Sequence, residues 1–497
     1  MKRPEVNPPR VLASSVCRVG FVCLILLSAD LRGGTVVEET FESRAVGERA
    51  GITTAVGNPS QAGIGNRAHS WVGGIVERHP DVSELVGLCD LNLDRCHDIN
   101  AAYGTQAAVF ADYDRMLAEL HPDLVVVTSP ESFHREHIEK AFAAGCDVAT
   151  EKPLCITLDD AAAIIDAERK SGRKLFMAFN YRHIPLCSKI RELIHGGAIG
   201  RPVSMDLTWY LDYKGHGASY FRRWHRMMKL SGGLLVTKAS HHFDLANWWM
   251  DDVPEVVHGQ GRQNFFGPGH NAYVGERCST CPHAKACAWY TDVCVVDRTE
   301  KLSQELGYRV KGVRNYVNDA CPFGPEVDIP DTMSVQVRYR NGGLLNYSLN
   351  ASVPYEGWNL AINGTKGRLE SKITDNKPSP GWQERFQITG PDGRVLKGKG
   401  YAVTDWPAEY SVHVMPHDGD NYEVRLPNIA EGHGGGDWKI FEAALANRYP
   451  ESDTLSVFAN AVSGAFSTAI GAAANESMSS GVPVDLRART ADWSQPS

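Results

Sequence analysis

The stretch Ala144-Gly145-Cys146-Asp147-Val148-Ala149-Thr150-Glu151-Lys152-Pro153-Leu154 decides how this chain is read. Ahead of it, Glu136, Ile138, Ala141 and Phe142 recur at helical spacing, and Gly145 is the residue type that accepts the left-handed turn after a helix. Val148 and Ala149 then belong to a short strand. Glu151 and Lys152 follow it, and Pro153 keeps Lys152 extended while stopping the strand from running on. A lysine is thereby set at the carboxyl end of a strand, the end at which open α/β sheets receive their ligands.

Outward from that point the chain alternates. Upstream, Gly63-Ile64-Gly65-Asn66-Arg67-Ala68 opens a helical pattern that continues through Trp71, Val72, Ile75 and Val76. Residues 83–90 read as a buried strand ending in an acid, 94–103 as a helix stopped by Gly104, 113–120 as a helix, and 123–129 as a strand apolar on both faces. Downstream, Thr157 and Asp160 form a capping box for a helix to about residue 171, and 174–180 is one more strand. Strands alternating with helices at this spacing predict a doubly wound parallel sheet. The second half has another rhythm. A helix over 186–194 leads to strands at 203–211, 334–339, 344–351, 358–363 and 368–371, with Gly364-Thr365-Lys366-Gly367 as a turn. No helices separate those later strands, so an open, mainly antiparallel sheet packed on one face by helices is expected. Helices at 438–446 and 454–479 complete it.

With 497 residues and a formal charge of −8, the chain is long enough for two or three domains and poorly suited to nucleic acid or an anionic membrane as its main partner. The apolar run from Val19 to Ala29 is about half of what spans a bilayer. Arg18 and Asp30 bracket it, and Leu27-Ser28-Ala29 lacks the small-x-small cleavage pattern, so a cytoplasmic location is expected, with export by an N-terminal leader as the competing expectation.

Gly63-x-Gly65-x-x-Ala68 fits the fingerprint whose glycines let backbone amides approach a pyrophosphate at a helix N-terminus. Asp90 stands 25 residues after Gly65 at a strand end, where a carboxylate accepts from ribose hydroxyls and repels a 2′-phosphate. NAD is the cofactor expected, with NADP second. One defect accompanies the fingerprint: Gly57-Asn58-Pro59-Ser60-Gln61-Ala62 is no strand, and a strand sought at 52–56 leaves an unusual loop before the glycines. Residues 1–62 otherwise show no sustained period, as expected of a leader with linker or of a misassigned start.

From Gly63 to about Val484 the chain resembles the Gfo/Idh/MocA family of NAD(P)-dependent sugar and polyol oxidoreductases. The landmarks are Gly63-Ile64-Gly65-Asn66-Arg67, Cys89-Asp90, Thr128-Ser129-Pro130 with His134, Ala144-Gly145, Glu151-Lys152-Pro153, Asn180-Tyr181-Arg182, Gly232-Gly233 leading to His241 and Asp244, and Gly364-Thr365-Lys366-Gly367. The resemblance implies a Rossmann dinucleotide domain (63–182), then a substrate and oligomerisation domain (183–487) with a cysteine-rich insertion (275–325) and a short tail (488–497). It implies a small sugar or polyol as the substrate and a homo-oligomer as the assembly. Carried over by position, Lys152 binds the reacting oxygen and His241 is the general acid/base. Gly63, Gly65, Asn66, Arg67, Asp90, Thr128, Pro130, His134, Glu151 and Lys152 fall at the cofactor, and Arg182, His242 and Asp244 at the substrate. Asp244, three residues from His241, shares its helical face and is expected to orient a ring. Tyr220, Arg223 and Trp224 supply aromatic and guanidinium groups suited to a sugar or sugar acid, and His433-Gly434-Gly435-Gly436-Asp437 is a second candidate loop. One departure stands out. Many family dehydrogenases carry an aspartate four residues before the histidine, where this chain has Thr237. An oxidation–elimination enzyme that cleaves glycosides and recycles its NAD is therefore the alternative expectation, followed by a non-catalytic relative.

Cys278-x2-Cys281-x5-Cys287 gathers three thiols, and Cys321 returns 34 positions later beside Pro322. A Cys-x2-Cys knuckle with two further thiolates suits the tetrahedron of structural zinc. The insertion is poor in aliphatic residues, so zinc binding is expected to supply its stability, with Cys294 as the spare thiol.

Overall fold

The alternation of apolar strands and capped helices in the first half builds the sheet it predicts. In the computed structural model, which describes residues 66–290, 319–375, 409–427, 433, 435–446 and 453–493 with strand segments at 21–22, 25–26, 51–56, 388–389 and 395–396, β1 (Gly51–Val56), β2 (Ser83–Asp90), β3 (Ala108–Phe110), β4 (Leu124–Val127), β5 (Asp147–Thr150) and β6 (Leu175–Met177) form one parallel sheet. Their spatial order is 3-2-1-4-5-6. The order reverses between β1 and β4, and the carboxyl ends of the strands at such a reversal are where open α/β sheets receive their ligands. Two-residue strands at Phe21–Val22 and Ile25–Leu26 pair with β2 and β4. The strand sought at 52–56 is therefore present as β1, in parallel register with β2 from Gly51↔Glu84 to Val56↔Asp90. Gly63 and Gly65 lie outside the described residues, as do Cys294 and nearly all of the first 62.

The helices start and stop where local chemistry dictates. Thr157 caps the helix Leu158–Ser171 by accepting from the Asp160 amide at 3.0 Å, and its hydroxyl donates to the Asp160 carboxylate at 2.7 Å. Gly145 follows the helix His134–Ala143 with φ 81, a conformation costly for any residue with a β-carbon.

The second sheet has nine strands. They are β7 (Pro202–Asp212), β8 (Pro254–Arg262), β9 (Thr332–Tyr339), β10 (Leu344–Val353), β11 (Glu356–Gly364), β12 (Gly367–Asp375), β13 (Glu409–Pro416), β14 (Tyr422–Pro427) and β15 (Val484–Asp485), in the order 14-13-12-11-7-10-9-8-15. Every pair is antiparallel except β7 with β10, which run parallel from Leu344↔Ser204. Alternate side chains of β9 are buried, which is the period-2 signature of a sheet covered on one face. That cover is the helix Ser240–Met250 with the helix Ala461–Ser480.

The helix Ala461–Ser480 begins seven residues later than expected, behind an Asn460 cap that accepts from the Ser463 amide. The helix Gly436–Ala446 packs on the first sheet instead of the second. Its Phe441 lies 4.6 Å from the Trp71 ring, and both are fully buried. The late chain therefore seals a core that begins near residue 66. Each such large apolar side chain contributes roughly 1.5–3 kcal/mol. No helix among the described residues is long and apolar enough to cross a membrane.

Candidate active site

Lys152 lies just past the end of β5, and its Nζ donates to the Thr237 carbonyl at 2.8 Å. Thr237 ends a single helical turn (Leu234–Thr237) that precedes the helix Ser240–Met250 carrying His241 and His242. The glycine pair before that turn adopts φ 65 at Gly232 and φ 70 at Gly233, which lets the chain reverse tightly toward β5. Lysine and histidine are thus brought together by one backbone contact between the two halves of the chain.

The two histidines differ in their surroundings. His241 stacks on Tyr181 at 4.0 Å with 9° between the rings, and its Nδ1 is buried without a partner. His242 turns toward the second sheet, stacking on Trp209 at 3.6 Å and bonding Tyr347 Oη at 2.6 Å through Nδ1. Burial, then the positive charge of Lys152, holds the His241 pKa well below the usual histidine value. The ring is neutral near pH 7 and able to accept a proton.

Glu131 sits one residue past Pro130. It is 4% exposed, accepts from the Thr237 hydroxyl through Oε1, and has a buried Oε2 with no partner. His225 Nε2 approaches Oε1 at 3.8 Å. Burial raises the Glu131 pKa and lowers that of Lys152, and the attraction between the two partly opposes both shifts. Sequence reading missed Glu131, although Pro130 beside it was named; its one signal was a carboxylate directly after a strand of the parallel sheet.

Lys238, Tyr181 and Trp209 form the wall beside His241. Lys238 donates to Tyr181 Oη at 3.0 Å and lies 5.2 Å and 5.6 Å from the Tyr181 and Trp209 ring centroids. Across from it, Tyr220 Oη meets His216 Nε2 at 3.1 Å, and Trp224 stacks on His225 at 3.8 Å. The Arg223 charge acts on His216, Tyr220 and His225 together. Tyr220, Arg223 and Trp224 therefore gather on the Lys152 side of the second domain, with Trp224 buried against a ring.

Several expected ligand residues prove to be committed elsewhere. Arg182 and Asp244 form a buried two-pronged ion pair at 2.8 Å and 2.6 Å, in which the Asp244 carboxylate bonds the guanidinium and not a histidine ring. His134 places its ring nitrogens 2.8 Å and 2.9 Å from the Pro153 and Ser129 carbonyls. It staples the loop after β4 to the Glu-Lys-Pro turn. Glu151 accepts from Arg67 Nε at 2.8 Å and Trp71 Nε1 at 3.0 Å, while Arg67 also reaches Asp437 at 3.0 Å. Those two charges tie the first helix to β5 and to the late helix. His433 and Asp437, the ends of the second candidate loop, bond at 2.9 Å; Asp437 is fully buried and also accepts from Asn180 at 2.7 Å. Gly436 has to be glycine, because a β-carbon there would stand 2.1 Å from the Asn180 carbonyl oxygen.

Asp90 lies buried at the end of β2, where its Oδ1 accepts from the Asn92 amide at 2.7 Å and Arg95 stands 3.6 Å from Oδ2. Thr128, the first residue past β4 at the reversal of strand order, has a buried Oγ1 without a partner, and so has Ser132 at its Oγ. The Asn66 side chain lies outside the described residues. Cys278, Cys281, Cys287 and Cys321 are all free thiols and line one small pocket together with Trp289 and Phe323. Among the described residues no three His, Cys, Asp or Glu side chains stand close enough to form a ready metal-ligating group.

Comparison with known proteins agrees with this two-domain fold. A model of an oxidoreductase family's NAD-binding Rossmann fold matches residues 62–179, and the model of the same family's C-terminal alpha/beta domain matches 191–486. The "Putative oxidoreductase YteT" of Bacillus subtilis is 35% identical over 440 residues, covering 86% of this chain and 96% of its own. A D-glucoside 3-dehydrogenase of Escherichia coli is 38% identical over 117 residues, 24% of this chain and 33% of that protein. Among solved structures, the WlbA dehydrogenase of Bordetella pertussis in complex with NADH and UDP-GlcNAcA superposes with a TM-score of 0.54 at 18% identity, covering 88% of this chain and 98% of that one.

Proposed function

Because the chain belongs to the Gfo/Idh/MocA family of oxidoreductases, we propose that it moves hydride between the CH–OH carbon of a sugar, sugar acid or cyclitol and NAD. The observation that carries this reading is the meeting of Lys152 and a neutral, ring-stacked His241 at the carboxyl end of the parallel sheet. The likeness to a D-glucoside 3-dehydrogenase supports a carbohydrate substrate.

The unpartnered Thr128 and Ser132 hydroxyls lie where strand order reverses, and they suit a polar ligand laid across that end of the sheet. Bound there, NAD supplies the hydride acceptor. The Asp90 carboxylate at the end of β2 favours unphosphorylated ribose hydroxyls. His241 takes the hydroxyl proton as the O–H bond breaks, and the Lys152 ammonium faces the negative charge left on that oxygen. Tyr181 holds the imidazole plane by stacking, a role that Asp244 does not fill.

Alanine at either residue tests the assignment. Lys152→Ala abolishes turnover while NAD binding, followed by fluorescence titration, stays near wild type. His241→Ala lowers kcat on the order of 100-fold. His242→Ala has the smaller kinetic effect, since that ring is anchored to Tyr347. A greater loss at His242 than at His241 moves the acid/base role by one residue.

A structural zinc ion held by Cys278, Cys281, Cys287 and Cys321 is also proposed, on the support that Cys321, 34 positions further along the chain, borders the same pocket as the other three thiols. Binding would draw them inward to the tetrahedral spacing that zinc requires. Elemental analysis of protein purified without chelator is expected to give about one zinc per chain. Metal-free protein of unchanged thermal stability contradicts it.

A further inference from the structure

Lys238 is a buried cation, 3% exposed, and among the described residues no carboxylate lies within ion-pair distance of it; its ammonium donates to a neutral phenol. Lys152, close enough to lower the same histidine pKa values, likewise bonds a neutral carbonyl. Two desolvated ammonium groups in one site repel each other; Glu131 partly compensates Lys152, whereas Lys238 has no carboxylate within ion-pair distance among the described residues.

The carboxylates nearby are engaged elsewhere. Glu356 accepts from the Asp212 amide at 3.0 Å and meets His216 at 2.6 Å. Asp437 and Glu151 are held by Arg67, and Asp244 by Arg182. Glu131 stands on the Lys152 side and accepts from Thr237. On the Lys238 side stand the Tyr181 and Trp209 rings, which attract a cation but leave its charge unneutralised, and the His216-bound Glu356, on which the Lys238 charge acts from beyond ion-pair distance.

We propose that the substrate brings the missing charge: a sugar acid whose carboxylate is received by Lys238 and whose reacting hydroxyl lies between Lys152 and His241. The inference rests on the sugar-oxidising reading above and narrows its substrate class. A neutral sugar leaves the Lys238 ammonium buried and unpaired. A carboxylate there forms a charge-assisted hydrogen bond in a dry site and fixes the ring's orientation relative to His241.

Calorimetric titration of the full chain, first with NADH and then with sugars, tests this without relying on turnover. The probes are a hexose, the corresponding hexuronate and the corresponding hexose 6-phosphate, in three stereochemical series. At least one hexuronate binds about tenfold or more tightly than its hexose, a gap of about 1.4 kcal/mol. Lys238→Met brings the two within about twofold, and Lys238→Arg, which keeps the charge, retains the preference. A hexose that binds as tightly as its hexuronate in every series overturns the inference, as does a 6-phosphate bound best or a preference that survives Lys238→Met. If the protein does not bind NADH at all, it is the oxidoreductase reading that fails. If NADH binds and the sugars do not discriminate, only the sugar-acid inference falls.

Discussion

Burial drives Glu131 and Lys152 in opposite directions, the carboxyl up and the ammonium down, and the attraction between them restores part of each. Lys152 is faced by Glu131 and Glu151, which favour its charge, and by Lys238 and Arg67, which oppose it, with His225, His241 and His242 close by. Glu131→Gln removes the strongest of the charges that favour the cation, so the Lys152 pKa falls further. The reaction needs the cation, and the alkaline limb of kcat/KM therefore moves to lower pH, by about one unit or more. An alkaline limb that stays in place in this variant separates Glu131 from the chemistry. The Thr237 hydroxyl donates to that same carboxylate, so the position where the resemblance leads one to expect an aspartate now helps hold a glutamate from the neighbouring domain.

The helix Ser240–Met250 depends on the Arg182–Asp244 pair, because Arg182 also donates to the Ser456 carbonyl and so fixes three segments at once. Asp244→Ala leaves a buried guanidinium without its counter-charge. The expected cost is about 3–5 kcal/mol, read as a lowered denaturant midpoint with an unchanged slope. A loss under about 1 kcal/mol indicates that water or Ser456 takes over the guanidinium. These elements also show what the sequence discloses. The helix and strand around Gly145 and Lys152, and the Thr157 cap, are legible because they rest on neighbours a few residues apart. Strand β3 is three residues long, too short for any period to appear. Strands β8, β13 and β14 escape because their pairing partners, not their own patterns, define them; Gly259 and Gly261 interrupt β8 where the helix Ala461–Ser480 approaches within contact. The commitments of His134, Glu151 and Asp244 are equally hidden, since each partner lies far away in sequence or across a turn.

On the scale of the whole molecule, the site exists only because the two sheets are locked together. Lys152 comes from the first and His241 from a helix on the second, and the Thr237 carbonyl joins them. The helix Gly436–Ala446 returns from the far end of the chain to cover the first sheet, bringing Asp437 to Arg67 and Asn180. Family membership establishes an oxidoreductase, and the reading proposed for it above is a net sugar dehydrogenase. The most direct measurement is nicotinamide absorbance during incubation of the full chain with NAD or NADP, across hexoses, hexuronates, cyclitols and an aryl glycoside, beside the Lys152→Ala variant. The account predicts that NADH accumulates with at least one hexuronate, faster with NAD than with NADP, and not in the variant. Release of the aryl group with no net NADH, or equal NADH formation by Lys152→Ala, would contradict it.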